Sequence, residues 1–426
     1  MSDSTVASSK FLDPGPQGPR SSFPALRFRD FRLLWIGQFV SLTGSQMQLA
    51  AINWHIYVLT NSKLALGAVG LVRVVPIILC SLIGGVVADV VDRKRLIIAS
   101  QTVMLLSAGA LATVIAMGSK SSWPIYLVTA ISSAALAFDN PARQALLPTL
   151  VPARYFPNAV SLGLVIFHIS MIGGPALAGL VLSTHSPALV YAINAASFLA
   201  LICAVLLISV SGRPQRVENE AAPRVSFTAL KEGLKFVWRT PIIVQTMTMD
   251  FVATFFASAT VLLPVFAKDI LHVGARGFGI LAASPAIGAV IAGLVMARLG
   301  TIRKQGATII GAIAVFGVAT IAFGLSRAFW FSILMLAIVG AADTVSTVLR
   351  QTIRQLVTPN YLRGRMTSVN MIFFMGGPQL GELEAGAVAA VIGAPLAVAT
   401  GGIGCLLAVV LSLIWWKSLL RYEGQI

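Results

Sequence analysis

The chain has 426 residues, of which 57% are hydrophobic and only 11% charged, with a mean hydropathy of +0.87. A soluble domain carries roughly 25% charged residues to hydrate its surface, so this composition excludes an ordinary soluble fold and makes lipid the outer solvent. The net charge of +16 would suit a nucleic-acid binder, but its distribution along the chain points elsewhere.

Residues 1–25 are rich in Ser, Pro and Gly and hold no apolar core. They are expected to form a disordered tail without a cleavable leader. Apolar runs then follow at 32–59, 64–89, 95–118, 123–145, 158–183 and 187–210. A polar interval at 211–240 precedes six more, at 241–267, 276–299, 306–326, 328–352, 366–392 and 394–416. Runs of about 20 residues are helical spans, because barrel strands would be shorter and alternating. Helices also satisfy their own backbone polar groups in hydrocarbon. The expected fold is an all-α membrane protein of twelve transmembrane helices in two pseudo-symmetric six-helix bundles. Its predicted parts are a tail (1–27), a first bundle (28–210), a linker (211–240), a second bundle (241–420) and a short tail (421–426). Within the linker, Phe227 to Trp238 places apolar residues at helical spacing beside Lys231 and Lys235, the pattern of a surface helix on a membrane leaflet.

The Lys and Arg residues explain the charge. Of 31, 25 fall in the tails and in alternate loops, five in the other loops, and Arg73 inside a span. That split is the positive-inside pattern. It predicts an even number of spans with both termini cytoplasmic. Cys80, Cys203 and Cys405 all sit within apolar runs and read as small buried hydrophobes rather than a disulfide or metal framework.

The halves look duplicated. Arg143-Gln144, after span four, recurs as Arg350-Gln351 at an offset of 207. Gly85 recurs as Gly293 at 208, and Gly173-Gly174-Pro175 as Gly376-Gly377-Pro378 at 203. Three landmarks at nearly one spacing imply an internal repeat.

Between spans two and three the chain runs Gly85-Val86-Val87-Ala88-Asp89-Val90-Val91-Asp92-Arg93-Lys94-Arg95. This resembles the signature loop of the major facilitator superfamily, Gly-x-x-x-Asp-Arg-x-Gly-Arg-Lys. Gly85, Asp89, Arg93 and Lys94 match, whereas Val90 and Asp92 depart from it. The second-half counterpart, Gly293 to Gly300, keeps Arg298 but has no Asp. The resemblance implies a conformational gate at Gly85, Asp89, Arg93, Lys94 and Arg298. In span five, Gly173 to Gly179 resembles that superfamily's exporter-associated Gly-Pro-x-x-Gly-Gly motif, with Ala178 in place of one Gly. Small residues allow close helix approach and proline bends the helix, so Gly174, Pro175 and Gly179 join the expected gate. The runs Asn140 to Pro148, Arg363-Gly364-Arg365 and Gln379 to Gly386 are similar to the branch of enterobactin exporters and transmembrane secretion effectors. Export therefore rests on resemblance.

Charges inside spans cost roughly 2.5–3.5 kcal/mol each on insertion scales and require a reason. Asp250, Glu382, Glu384 and Arg73 are the proton-coupling candidates. Glu382 and Glu384 project about 200° apart on a helix, so they cannot both face one cavity. Asp343 and Asp139 lie near the basic end and read as partners of nearby Arg. Span one is unusually polar, and Gln38, Ser41, Ser45 and Gln48 form one helical stripe suited to a cavity wall. His168 and Gln379 complete the cavity candidates. No nucleotide-binding Gly-x-x-x-x-Gly-Lys-Ser/Thr run, metal-ligand spacing or nucleophile motif is present, so neither an enzyme nor a cofactor is expected. The partners expected are a small-molecule substrate, protons and the bilayer, with no nucleic acid, and the chain is expected to act as a monomer. Import or lysophospholipid flipping stays open as an alternative. So does a non-transporting receptor or assembly component.

Overall fold

The computed structural model describes residues 23–213, 234–256, 258–299, 302–359, 362–420 and 422–423. The first tail expectation therefore falls largely outside the described residues. So does most of the expected surface helix, of which 234–238 is helical.

Among the described residues, twelve long helices follow the order of the apolar runs. In the first half they are α1 (Arg29–Thr60), α2 (Lys63–Val90), α3 (Arg93–Ala116), α4 (Trp123–Leu146), α5 (Phe156–Thr184) and α6 (Pro187–Leu207). In the second half they are α7 (Pro241–Phe256), α8 (Gly274–Leu299), α9 (Gln305–Leu325), α10 (Phe329–Val357), α11 (Arg363–Ile392) and α12 (Ala394–Trp415). Span seven continues beyond α7 through the helical turns Ala259–Leu262, Leu263–Val265 and Phe266–Ile270. Among the described residues, nine segments are long and apolar enough to cross a membrane. They include every helix except α1, α4 and α11, which carry the polar side chains discussed below.

Local chemistry sets the helix ends. Asp92 caps α3 by accepting from the amides of Lys94 (2.9 Å) and Arg95 (3.2 Å). Ser62 caps α2 and Ser186 caps α6 in the same way, each satisfying donors that a helix start leaves free. Asn61 ends α1 with φ of 49°, a left-handed turn that Asn tolerates, and this reverses the chain into α2. Of the three cysteines only Cys405 is buried, while Cys203 is exposed and Cys80 intermediate. A lipid-facing helix surface needs no burial in protein, which corrects the expectation for those two.

Helices alternate direction, so one end of the bundle gathers the Arg- and Lys-rich loops. We call it the basic end. The halves join at the opposite end. There one apolar core draws Tyr57, Leu66, Val69 and Tyr191 from the first half and Leu262, Phe266, Phe278 and Ala385 from the second. Trp54 stacks on Phe278 with centroids 5.4 Å apart. The Tyr57 hydroxyl donates to the Asp269 carboxylate, and Lys268 Nζ lies 5.3 Å from the Tyr57 ring centroid. At the basic end the cores are separate: one comes from the first half alone, and two come from the second.

Glycines form the seams between halves. A Cβ on Gly179 of α5 would lie 2.7 Å from the Ala275 carbonyl and 2.7 Å from Gly279 Cα of α8. A Cβ on Gly386 of α11 would lie 2.7 Å from Gly67 Cα of α2. Backbones this close exclude any side chain. Gly174 instead packs on Gln46 and Met47 of α1, whereas Gly173 faces open space within 4 Å. Gly179→Leu should therefore cost about 1–3 kcal/mol by overpacking and lower the melting temperature of the purified protein. Gly173→Leu should leave it unchanged in the same thermal scan.

Candidate functional site: a polar cavity in the first bundle

A cavity of about 190 Å³ opens among α1, α2, α3, α4 and α6. Its wall on α1 is Ser41, Ser45, Gln46 and Gln48, and the facing helices add Gln101, Thr129, Ser132, Ser133 and Asn194. Arg73 and Arg143 also line it, with Leu42, Leu49, Ile52, Met104, Leu136 and Phe198 as the apolar part. Three of the four residues in the α1 stripe are here. Gln38, a turn nearer the basic end, is half-buried outside the lining. His168 also lies outside it, in edge contact with the Phe167 ring at 5.7 Å.

The wall is wired internally. The Ser41 hydroxyl donates to Gln101 Oε1 at 3.2 Å, and Gln101 Nε2 donates to Asp139 Oδ1 at 3.0 Å. Arg143 Nη2 lies 2.6 Å from Asp139 Oδ2. Asp139 is fully buried, so the cavity sees Arg143 with its carboxylate partner hidden behind it. On the other side, Asn194 Nδ2 donates to Gln48 Oε1 at 2.7 Å. The Ser197 hydroxyl lies 3.1 Å from Asn194 Oδ1. Sequence periodicity found the α1 stripe but missed Gln46, Gln101, Thr129, Ser132, Ser133, Arg143 and Asn194. Polar residues isolated on otherwise apolar helices were the available signal.

Arg73 and Glu382 meet across the two halves, Nη1 to Oε1 at 3.7 Å, with side chains 24% and 16% exposed. Glu382 lies on α11 beside Gly70 of α2, where a Cβ would be 2.7 Å from a Glu382 carboxylate oxygen. Gln379, one turn earlier, is buried with Oε1 lacking a hydrogen-bond partner. Neither Glu382 nor Glu384 lines the cavity.

Asp250 sits elsewhere. It is 2% exposed, with Oδ1 2.8 Å from Arg350 Nη2 and Oδ2 3.7 Å from Arg354 Nη1. Arg350 and Arg354 are themselves 1% and 2% exposed. Arg354 also donates to Asn370 of α11, and Asp343 lies 3.8 Å from Arg350. This cluster ties α7, α10 and α11 together. The cavity beside it, lined by Ala253, Phe316, Asp343, Ser346 and Arg350 among others, is only about 10 Å³.

At the repeat offset of 208, Ser41, Ser45 and Gln48 correspond to Met249, Ala253 and Phe256. The second half has thus filled with apolar side chains what the first half leaves open and polar. At the offset of 203, Gly179 corresponds to Glu382, so the two seams are equivalent in place but only one carries an ion pair.

The gate residues are partly visible. Arg93 Nη1 donates to the Ala145 carbonyl at 2.9 Å, and Lys94 Nζ to the Ile208 carbonyl at 2.6 Å. Cations at the last carbonyls of α4 and beyond α6 are favourable, and these contacts stay within the first half. Arg298 is exposed in the last turn of α8. The side chains of Gly85 and Asp89 lie outside the described residues.

Two related helical bundles joined at one end, the first holding a polar cavity, are the architecture of a major facilitator transporter, which is not an enzyme. Residues 20–420 match the transmembrane secretion effector family, and the chain belongs to that family. Among curated proteins it is similar to the multidrug efflux pump Tap of Mycolicibacterium fortuitum, 27% identical over 82% of this chain and 88% of the relative. It is also similar to the enterobactin exporter EntS of Shigella boydii serotype 18, 23% identical over 92% of this chain and 93% of that protein. The fold matches the crystal structure of a bacterial homologue of the human lysosomal transporter Spinster, with TM-score 0.72, 12% identity and coverage of 95% and 100%. A bacterial homologue of ferroportin matches with TM-score 0.66, 15% identity and coverage of 91% and 98%.

The Asp250–Arg350 pair makes a direct prediction. Removing one partner of a buried pair strands the other charge, at about 3–5 kcal/mol. Arg350→Gln should therefore sharply lower the thermal midpoint of the purified protein. Asp250→Asn combined with Arg350→Gln should recover part of the loss in the same measurement.

Proposed function

We propose that this chain is a monomeric alternating-access secondary transporter of the bacterial inner membrane, which exports a small amphipathic molecule by proton antiport. The charge split supports a cytoplasmic basic end, and with it cytoplasmic termini. The outer ends then form the sealed side, and the separate cores lie on the cytoplasmic side. That is the state in which an exporter loads its cargo. The observation carrying the reading is the cavity itself, polar along α1 and α4 and apolar at Leu49, Ile52 and Phe198. Its relatives include a multidrug efflux pump and an enterobactin exporter, which supports efflux of a siderophore or a drug-like compound.

Proton coupling is assigned to Arg73 and Glu382, with Asp250 and Glu384 as further candidates. Rocking the halves apart at their outer ends separates α2 from α11 and so breaks the Arg73–Glu382 pair. A carboxylate losing its partner in a low-dielectric seam takes up a proton to avoid an unpaired charge. Closing the seam again favours release of that proton. Arg93, Lys94 and Arg298, with Gly85 and Asp89, form the cytoplasmic gate of this cycle. Gly174, Pro175 and Gly179 form the seam about which the halves move.

Under respiration-driven proton pumping, which acidifies the interior of inverted membrane vesicles and makes that of right-side-out vesicles alkaline, the inverted vesicles should accumulate a labelled substrate and the right-side-out ones should not. Accumulation with the opposite sidedness would make the chain an importer or flippase. The triple variant Asp250→Asn, Glu382→Gln, Glu384→Gln should lose the dependence on the pH gradient while still exchanging substrate down its gradient. Unchanged proton-driven accumulation in that variant would remove the coupling assignment.

A further inference from the structure

The hydrogen-bond inventory of the cavity wall is lopsided. Three of its four lining amides spend their carbonyls within the protein: Gln48 Oε1 accepts from Asn194, Asn194 Oδ1 from Ser197, and Gln101 Oε1 from Ser41, the fourth amide being Gln46. The Ser45 hydroxyl donates to the Ser41 carbonyl and the Thr129 hydroxyl to the Ile125 carbonyl, so those two protons are spent as well. Among the lining groups to which these contacts assign no partner is the Gln48 NH₂, together with the Gln46 carboxamide. Beside it is the buried Ser132 hydroxyl, which has no hydrogen-bond partner. A carboxamide always presents both a carbonyl acceptor and an NH₂ donor, so consuming the carbonyl leaves a donor.

The formal charges point the same way. Among the described residues, two guanidiniums and no carboxylate line the cavity. Asp139 is buried behind Arg143 and engages one of its nitrogens, Nη2. Glu382 stands in the seam at a long 3.7 Å from Arg73. Asp343, on the other bundle, borders a different cavity and is offset by Arg350 at 3.8 Å. A guanidinium presents a planar fork suited to two oxygens of a carboxylate, and Leu49, Ile52 and Phe198 offer an apolar surface in the same cavity.

We propose that this cavity selects amphipathic oxyanions, an apolar or aromatic body bearing a carboxylate or comparable acceptor group, and rejects cations of the same shape. The proposal deepens the reading of this cavity as the cargo site and rests on it. The carboxylate would accept from Arg143 or Arg73 together with the Gln48 NH₂ and Ser132 hydroxyl. A cation would meet two positive charges and, among the described lining residues, no carboxylate.

The test is binding to the full chain in lipid nanodiscs, with benzoate and benzamidinium as probes, since the two are near-isosteric and opposite in charge. Wild-type protein should bind benzoate saturably, at least about tenfold more tightly than benzamidinium. Gln48→Glu is the decisive variant. It keeps an acceptor for Asn194 and adds a carboxylate to the cavity, and it should reverse the preference. Arg73→Gln with Glu382→Gln removes one cation without stranding a carboxylate, and should weaken benzoate by about tenfold while sparing benzamidinium. A preference for benzamidinium in wild type, no saturable benzoate binding, or an unchanged ratio in Gln48→Glu would each overturn the proposal. Binding in nanodiscs is independent of transport direction and coupling. Selective benzoate binding without outward transport in vesicles would therefore refute the export reading alone.

Discussion

Where Gly179 meets Gly279 and Gly67 meets Gly386, the backbones of the two halves approach so closely that a single methyl group would collide. Inside a bilayer, lipid tails cover an apolar helix as well as another helix does, so association depends on close packing rather than on escape from water. These two seams, backed by the shared core around Tyr57, Phe266 and Phe278, are what hold the halves together. Everything toward the basic end follows from that anchorage. With the opposite ends pinned, the cores of the two halves stay separate at the basic end, and the polar faces of α1 and α4 border a cavity instead of being packed away.

The repeat supplies the frame, and its departures from symmetry supply the function. Arg143 and Arg350 stand at equivalent positions, yet each finds its carboxylate differently. Arg143 takes Asp139 from its own helix, whereas Arg350 takes Asp250 from α7. In the first half this leaves α1 free to present Ser41, Ser45 and Gln48 to the cavity. In the second, the corresponding helix donates its one carboxylate to a buried cluster, and the cavity beside that cluster closes almost completely. Likewise the seam residue that is Gly179 in one half is Glu382 in the other, which installs an ion pair with Arg73 at one seam only. A duplicated scaffold thus carries one polar cavity wall and one charged seam.

Much of this was legible in the order of residues. The apolar runs fall within a few residues of the helices, except at span seven, where α7 stops at Phe256 and short helical turns carry the chain to Ile270. Pro264, which cannot donate in a regular helix, lies in that stretch. The stripe on α1 was readable because helical periodicity identifies residues that share a face. Periodicity does not say what the face meets. Asp250 and Glu382 look alike in sequence, each an acid within an apolar run. Asp250 proves to be locked to two arginines in the interior of one bundle, and Glu382 to stand between bundles.

By itself, the sequence determined the solvent, the number and direction of the helices, the duplication and the expected sidedness. All of these depend on local composition and spacing. Only the tertiary structure decided which polar side chains converge, which charges neutralise one another, and which hydrogen-bond capacity is left over. Those outcomes depend on pairs far apart in the chain, such as Gln48 with Asn194 and Arg73 with Glu382, and their separations are fixed by helix packing rather than by any run of neighbouring residues.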